Sequence, residues 1–240
     1  MAEMRVVPLP RGAVLLLQPR SDVRSVAAGW FVNVGSRDEP AEWNGAAHLL
    51  EHLAFKGDGR VGQPGPSAVL ESIGADANAF TAEDRTGFHA AVLADHADTV
   101  HEALARLLQP ALDPADVALE RTVVLEEIAM DADDPERRVL DLAAAHAHPG
   151  HAAGRPILGT EATVGALDRT SLAAFRDAAY RPERLVVSVA GRIDPDRVAA
   201  GIARRVEAWP GLPARALPVR TTPPWHAGAV HVHDRERSRV

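Results

Sequence analysis

The stretch AAHLLEHLAF, Ala46 to Phe55, follows Gly45 and puts apolar side chains on most faces of a helix, with only His48, Glu51 and His52 polar. A helix so apolar belongs in a core, and the rest of the chain must supply the layers around it. Its polar residues share one side. Residues four apart differ by about 40° around a helix axis, so His48 and His52 can address one ion, and Glu51 lies next to them.

Working outward, the flanking sequence reads as strands and helices in irregular alternation. Arg5 to Pro8 and Ala13 to Gln18 are short apolar runs around Pro10-Arg11-Gly12, a hairpin pattern. Ser25 to Val34 is β-rich and ends at Gly35-Ser36 and the charges Arg37, Asp38 and Glu39, as a central strand would. Ser67 to Ile73 is a short helix closed by Gly74, Thr86 to Leu93 a strand, and Asp95 to Leu108 an amphipathic helix. Asp113-Pro114 supplies an N-cap and a proline at the first helical position for a helix running to about Asp133, after which Asp134-Pro135 restarts the chain. A histidine-rich loop then leads to Gly159-Thr160, a helix near Ser171 to Ala179, the strand Arg184 to Ala190 and the helix Pro195 to Ala208 behind Asp194. From Pro210 to Pro224 proline marks a linker, and Ala229 to His233 is a last β-like run. The expected fold is α+β, a mostly antiparallel sheet flanked by helices, with one domain over 1–210 and a linker with the start of something further over 211–240.

Composition narrows the function. Hydrophobic residues at 46% and charged residues at 25% describe an ordinary globular chain rather than a disordered or fibrous one. A net charge of −7 offers no basic face for phosphates, which argues against nucleic acid as a partner. There is no cysteine, so a metal would have to sit on nitrogen and oxygen. The opening residues lack a basic segment followed by an apolar core, and no run approaches membrane-spanning length, so the reading is cytoplasmic with no membrane partner. Lys56 is the only lysine among many arginines, which reads as coding bias without chemistry.

Two imidazoles do not complete a catalytic zinc site, which normally takes three protein ligands and keeps one position open. The helix after Asp113 offers Glu120 and Glu127, seven apart and within about 20° of one face, so one carboxylate could ligate while the other takes a histidine N–H. Glu126 lies about 100° away and is the weaker candidate. Taken alone, the pentapeptide HLLEH fits a hydrogen-bonded core cluster as well as it fits a metal site. His146, His148 and His151, and the pair His231 and His233, have no carboxylate at useful spacing and read as loop or surface histidines. Trp30, Trp43, Trp209 and Trp225 follow no helical period, which suits packing.

Several blocks occur together in order: VGSRDEPAEWNGAAHLLEHLAFKG from Val34, ADANAFTAEDRTGFHAAV from Ala75, ERTVVLEEIAMDADDP from Glu120, HPGHAAGRPILGT from His148 and YRPERLVVSVAGRID from Tyr180. With these the chain resembles the catalytic half of the pitrilysin and insulinase family of zinc peptidases, the inverzincins, over nearly its whole length. The resemblance implies one Zn²⁺ held by His48, His52 and Glu127, with Glu51 as general base and Glu120 as a supporting acid. It implies that Asn78, Ala79, Phe80 and Thr81 form the edge strand along which a peptide substrate is laid. It also implies a partner, because members of that family usually close two related halves like a clamshell, and this chain carries one half. The expected function is therefore zinc-dependent endopeptidase cleavage of peptides or short precursors. The alternative is a non-catalytic or incomplete peptide- or metal-binding subunit that needs a partner chain. One departure from the pattern is GDGRVGQPGPS after the zinc helix, unusually rich in glycine and proline.

Overall fold

A computed structural model describes residues 3–210 and 216–223. Its six strands are β1 (Arg5–Pro8), β2 (Val14–Pro19), β3 (Ser25–Val32), β4 (Asp76–Thr81), β5 (Thr86–Leu93) and β6 (Leu185–Gly191), arranged in one sheet in the order β1-β2-β6-β3-β5-β4. Four of the five neighbouring pairs are antiparallel, and β2 with β6 is parallel. The α+β expectation holds. The parallel pair joins residues far apart in sequence, which no local pattern announces.

Eight helices accompany the sheet among the described residues: α1 (Ala46–Ala54), α2 (Pro66–Ser72), α3 (Ala97–Leu107), α4 (Pro114–Asp133), α5 (Pro135–Ala147), α6 (Glu161–Ala166), α7 (Arg169–Ala179) and α8 (Pro195–Glu207). Several helix starts have a local cause in a side-chain cap. The Asp113 carboxylate accepts from Ala115 N at 2.8 Å to start α4, and Asp168 accepts from Ser171 N at 2.8 Å to start α7. Asp134 closes α4 and caps α5 by accepting from Glu136 N at 2.9 Å, so the segment after Asp134 is helical as far as Ala147 and includes His146, where a loop was expected. Helix α6 follows a capping box at Thr160, another element that the sequence reading did not separate from its surroundings.

The core lies between the sheet and the helices. Strands β3 and β6 bury alternate residues, with Val26, Ala28, Trp30 and Val32 on one and Leu185, Val187 and Val189 on the other. Trp30 is fully buried, stacks on Trp209 with ring centroids 6.5 Å apart, and donates its indole N–H to His101 Nδ1 at 3.3 Å. Trp43 packs partly buried against the same core, so these three tryptophans are packing residues as expected, and Trp225 lies outside the described residues. No helix among the described residues is long and apolar enough to cross a membrane.

His101 provides a pH lever. Burial, with Arg205 adding to it, brings its imidazole down to about 4 from the usual 6.5. Between those values the unfolded chain binds a proton that the folded chain refuses, so stability falls as pH drops from 6.5 toward 4. Over that interval the group contributes roughly 3 kcal/mol of pH dependence. Glu39, described below, titrates in the opposite sense over part of the same window, so the parent must be compared with His101→Gln. Denaturant melts at several pH values should show a shallower loss on acidification in the variant, and parallel pH profiles would remove His101 as the cause.

Candidate metal centre

The site is built on α1, a nine-residue helix whose Ala46, Ala47, Leu49, Leu50, Leu53 and Ala54 are all buried. Only the stripe of His48, Glu51 and His52 reaches open space, which is why a helix this apolar carries three polar groups on one side. The helix is entered through Gly45 at φ +98°, where a Cβ would stand 2.6 Å from the Leu158 carbonyl oxygen, so glycine is required on both counts.

The N-terminus of α1 is held by Glu39. One carboxylate oxygen accepts from Ala47 N at 2.7 Å, and the other accepts from Gly45 N and Asn44 Nδ2, each at 2.9 Å. Both Asp38 and Glu39 are buried, although their charged run reads in sequence as the exposed end of a strand. Burial pushes the Glu39 carboxyl up to about 7, against the pull of its three donors and Arg155. The helix N-terminus, with its unpaired N–H groups, is the place where such a carboxylate is best received.

Helix α4 faces α1. Its Glu120 and Glu127 share a side, as the seven-residue spacing predicts, and Glu126 is exposed. His48 Nε2 and His52 Nε2 lie 3.7 and 3.6 Å from Glu127 Oε2. Too long for hydrogen bonds, these separations suit ligands about 2.0–2.1 Å from one tetrahedral ion, which stand about 3.4 Å from one another. Ligand atoms of His48, His52 and Glu127 all fall within 4.8 Å of one another, and no other such His, Cys, Asp or Glu group of three occurs among the described residues. Burial, with His52 as a second cause, lowers the His48 imidazole to about 4, which keeps it neutral and able to donate a lone pair. The residues present therefore fit a zinc ion.

His52 is oriented from behind. Its Nδ1 is 3.0 Å from Glu120 Oε2, and the other Glu120 oxygen accepts from Lys56 Nζ at 2.6 Å. Burial opposes the Glu120 charge, yet the bonds from Lys56 and His52 outweigh it and hold the carboxyl below its ordinary range. The sole lysine thus has chemistry after all: placed just past the end of α1, it keeps charged the acid that orients a candidate ligand.

Glu51 faces the same space, and its Oε2 accepts from Thr81 Oγ1 at 2.5 Å. Burial raises its pKa above the usual carboxylate value, and the Glu127 charge adds to that, while Thr81 and His52 pull it down. Thr81 ends β4, which forms one edge of the sheet, so Asn78, Ala79, Phe80 and Thr81 run beside the candidate site. Asn78 is within the strand, opposite His89 on β5, rather than in a turn. Tyr180 opens one of the sequence blocks but was given no role there. Its side chain is buried against Phe88, with its phenol raised by burial and by the nearby Glu51. His151, by contrast, bonds to Ala153 N and the Thr221 hydroxyl and stands apart from the metal group. His231 and His233, with the run from Ala229, lie outside the described residues.

Residues 14–161 match the family described as insulinase, peptidase family M16. An uncharacterized zinc protease of Mycobacterium leprae is 42% identical over 195 residues, covering 80% of this chain and 43% of that protein. A solved M16-like peptidase from Alicyclobacillus acidocaldarius superposes with a TM-score of 0.79 at 26% identity, covering 90% of this chain and 52% of the other. The structure of a peptidase M16 inactive domain from Pseudomonas fluorescens has the same fold, with a TM-score of 0.79 at 19% identity over 92% of this chain and 55% of that one. The chain thus spans about half the length of the relatives it matches. A family match over more than half its residues and a six-stranded α+β sheet shared with solved M16 peptidases place this chain in the insulinase family of M16 peptidases, as a zinc-protease-type domain.

Proposed function

We propose that this chain is the metal-binding half of a zinc-dependent endopeptidase acting on peptides or short precursors. The observation that carries the reading is the convergence of His48, His52 and Glu127 ligand atoms within 4.8 Å, with the Glu51 carboxylate facing the same space. His48, His52 and Glu127 would hold the zinc, and Glu120 would keep the His52 ring in place. Bound there, zinc supplies Lewis acidity, acidifying water and polarising a peptide carbonyl. Glu51, steadied by Thr81, accepts the proton of the attacking water and returns it to the leaving amine as the C–N bond breaks, so that a new carboxyl and a new amine result. The outer edge of β4 offers the main-chain groups of alternate residues between Asn78 and Thr81 with which an extended peptide can pair, once the Ala79 N–H leaves the Asn78 Oδ1 to which it donates at 2.8 Å. Such pairing reads backbone and is nearly indifferent to side chains.

In this reading 1–210 form the peptidase unit and 211–240 lead toward a second unit, in the same polypeptide or another, that closes over the site. The length of the matched relatives supports it. A second reading, a non-catalytic subunit, is favoured by the inactive domain that shares the fold. Against it stands a candidate ligand set in which no member has been replaced.

Elemental analysis of carefully metallated protein should find one zinc per chain. Peptide hydrolysis should appear with the chain alone or together with the protein encoded beside it, and a chelator should stop it. A trace of zinc only, or chelator-resistant hydrolysis, would overturn the peptidase reading. Single substitutions sort the carboxylates. Glu127→Gln should weaken zinc retention by more than the roughly 10–100-fold that loss of a supporting partner costs, with Glu120→Gln inside that range. Equal zinc content in Glu127→Gln and parent would return the ligand to Glu126.

A further inference from the structure

Residues 216–223 have no regular secondary structure, but they do not hang free. Arg220 enters a place where three segments meet. Its Nε donates to Asp38 Oδ1 at 2.6 Å and its Nη2 to Asp38 Oδ2 at 2.8 Å, a two-pronged pair on a carboxylate only 4% exposed. The same guanidinium donates to Asn33 Oδ1 at 2.9 Å, to the Asn33 carbonyl at 3.0 Å and to the Asp84 carbonyl at 2.7 Å. The next residue, Thr221, bonds to His151 Nε2 at 2.8 Å through its hydroxyl.

Two of these anchors, Asp38 and the turn that contains Asp84, lead to the metal centre. Asp38 takes Gly35 N at 2.9 Å and is followed at once by Glu39, whose carboxylate holds the first amides of α1. The turn at 82–85 is tied to the same segment by Ser36 N to the Ala82 carbonyl at 3.1 Å and Arg37 N to the Glu83 carbonyl at 3.0 Å. That turn continues Thr81, which holds Glu51. Arg220 thus binds together the two backbone supports of the site, one under the helix that bears the histidines and one under the strand end that steadies the base.

We propose that Arg220 is a positioning residue for the metal centre, reaching back from the linker to lock the Asp38–Glu39 turn against the β4–β5 turn. Its effects on zinc release and on catalysis rest on the peptidase reading. Its effect on α1 does not. In a chain with Arg220→Met, a buried Asp38 loses its two-pronged partner, and the turn that carries Glu39 loosens. Arg220→Lys keeps the charge without the planar fork and should fall between Met and parent.

The test uses the full chain. Amide hydrogen exchange should accelerate roughly tenfold at Gly45 and Ala47 in Arg220→Met, with amides of β6 and α8 unchanged, and zinc should be surrendered to a chelator roughly tenfold more readily. If the protein cleaves peptides, kcat should drop while KM stays. Unchanged exchange at Gly45 and Ala47, or acceleration spread evenly over the whole molecule, overturns the proposal. Should Arg220→Met not fold, Arg220→Lys carries the same readings. If the parent itself holds no zinc, the peptidase reading fails, and exchange at the two amides still decides the role of Arg220.

Discussion

Glu51→Gln is expected to leave zinc content at the parent's level and to lower kcat for peptide hydrolysis by about 10²–10⁴-fold, the usual contribution of a positioned general base. Glutamine matches glutamate in size and can still accept from the Thr81 hydroxyl, so the geometry around Thr81 and His52 survives. What disappears is the basic oxygen. The three residues that would hold the metal are untouched, which is why zinc and activity should separate here and fall together in Glu127→Gln. Inductively coupled plasma analysis and a fluorogenic peptide assay on the same preparation make the comparison. Retained activity would mean that another group takes the proton.

The second large effect falls on stability. Glu39→Ala strips the acceptor from Gly45 N, Ala47 N and Asn44 Nδ2, of which only Asn44 has an alternative in the Pro156 carbonyl at 3.0 Å. A buried donor left unpaired costs about 1–3 kcal/mol, so the loss should reach about 3–5 kcal/mol. Glu39→Gln is informative because both carboxylate oxygens accept: an amide supplies one oxygen and turns an N–H₂ toward donors on the other side. It should cost about 2 kcal/mol, and zinc should also be held less firmly because α1 begins at these amides. Urea melts of metal-free protein isolate the stability term. A Glu39→Ala midpoint corresponding to less than about 1 kcal/mol would show that the α1 amides find other partners.

Much of the site was legible because its chemistry is carried on helices. His48, Glu51 and His52 share a stripe by periodicity alone, and the seven-residue spacing of Glu120 and Glu127 puts both carboxylates on the side of α4 that faces α1. Choosing Glu127 over Glu126 needed no contacts, only the angle between successive residues and the family motif. What stayed hidden depends on contacts between distant segments. Asp38 and Glu39 look like a charged strand end until α1 is set upon one of them and Arg220 upon the other. Lys56 looks like a stray lysine until α4 brings Glu120 to it. The parallel pairing of β2 with β6 was invisible for the same reason, since hydrophobic alternation marks strands without naming their neighbours. Helices α5 and α6 were missed differently. Their caps at Asp134 and Thr160 are plain in the sequence, but the histidines and glycines around them look like loop.

The two helices that would share the ion are far apart along the chain, and this sets an order of events in biosynthesis. The pair His48 and His52 leaves the ribosome as a local unit, while Glu127 arrives 75 residues later and reaches them only when α4 has docked. Until then a nascent chain can offer an ion two imidazoles and no carboxylate, and closing so long a loop costs entropy that a weakly held ion cannot repay. Metal loading should therefore follow the packing of α4 on α1 instead of guiding it.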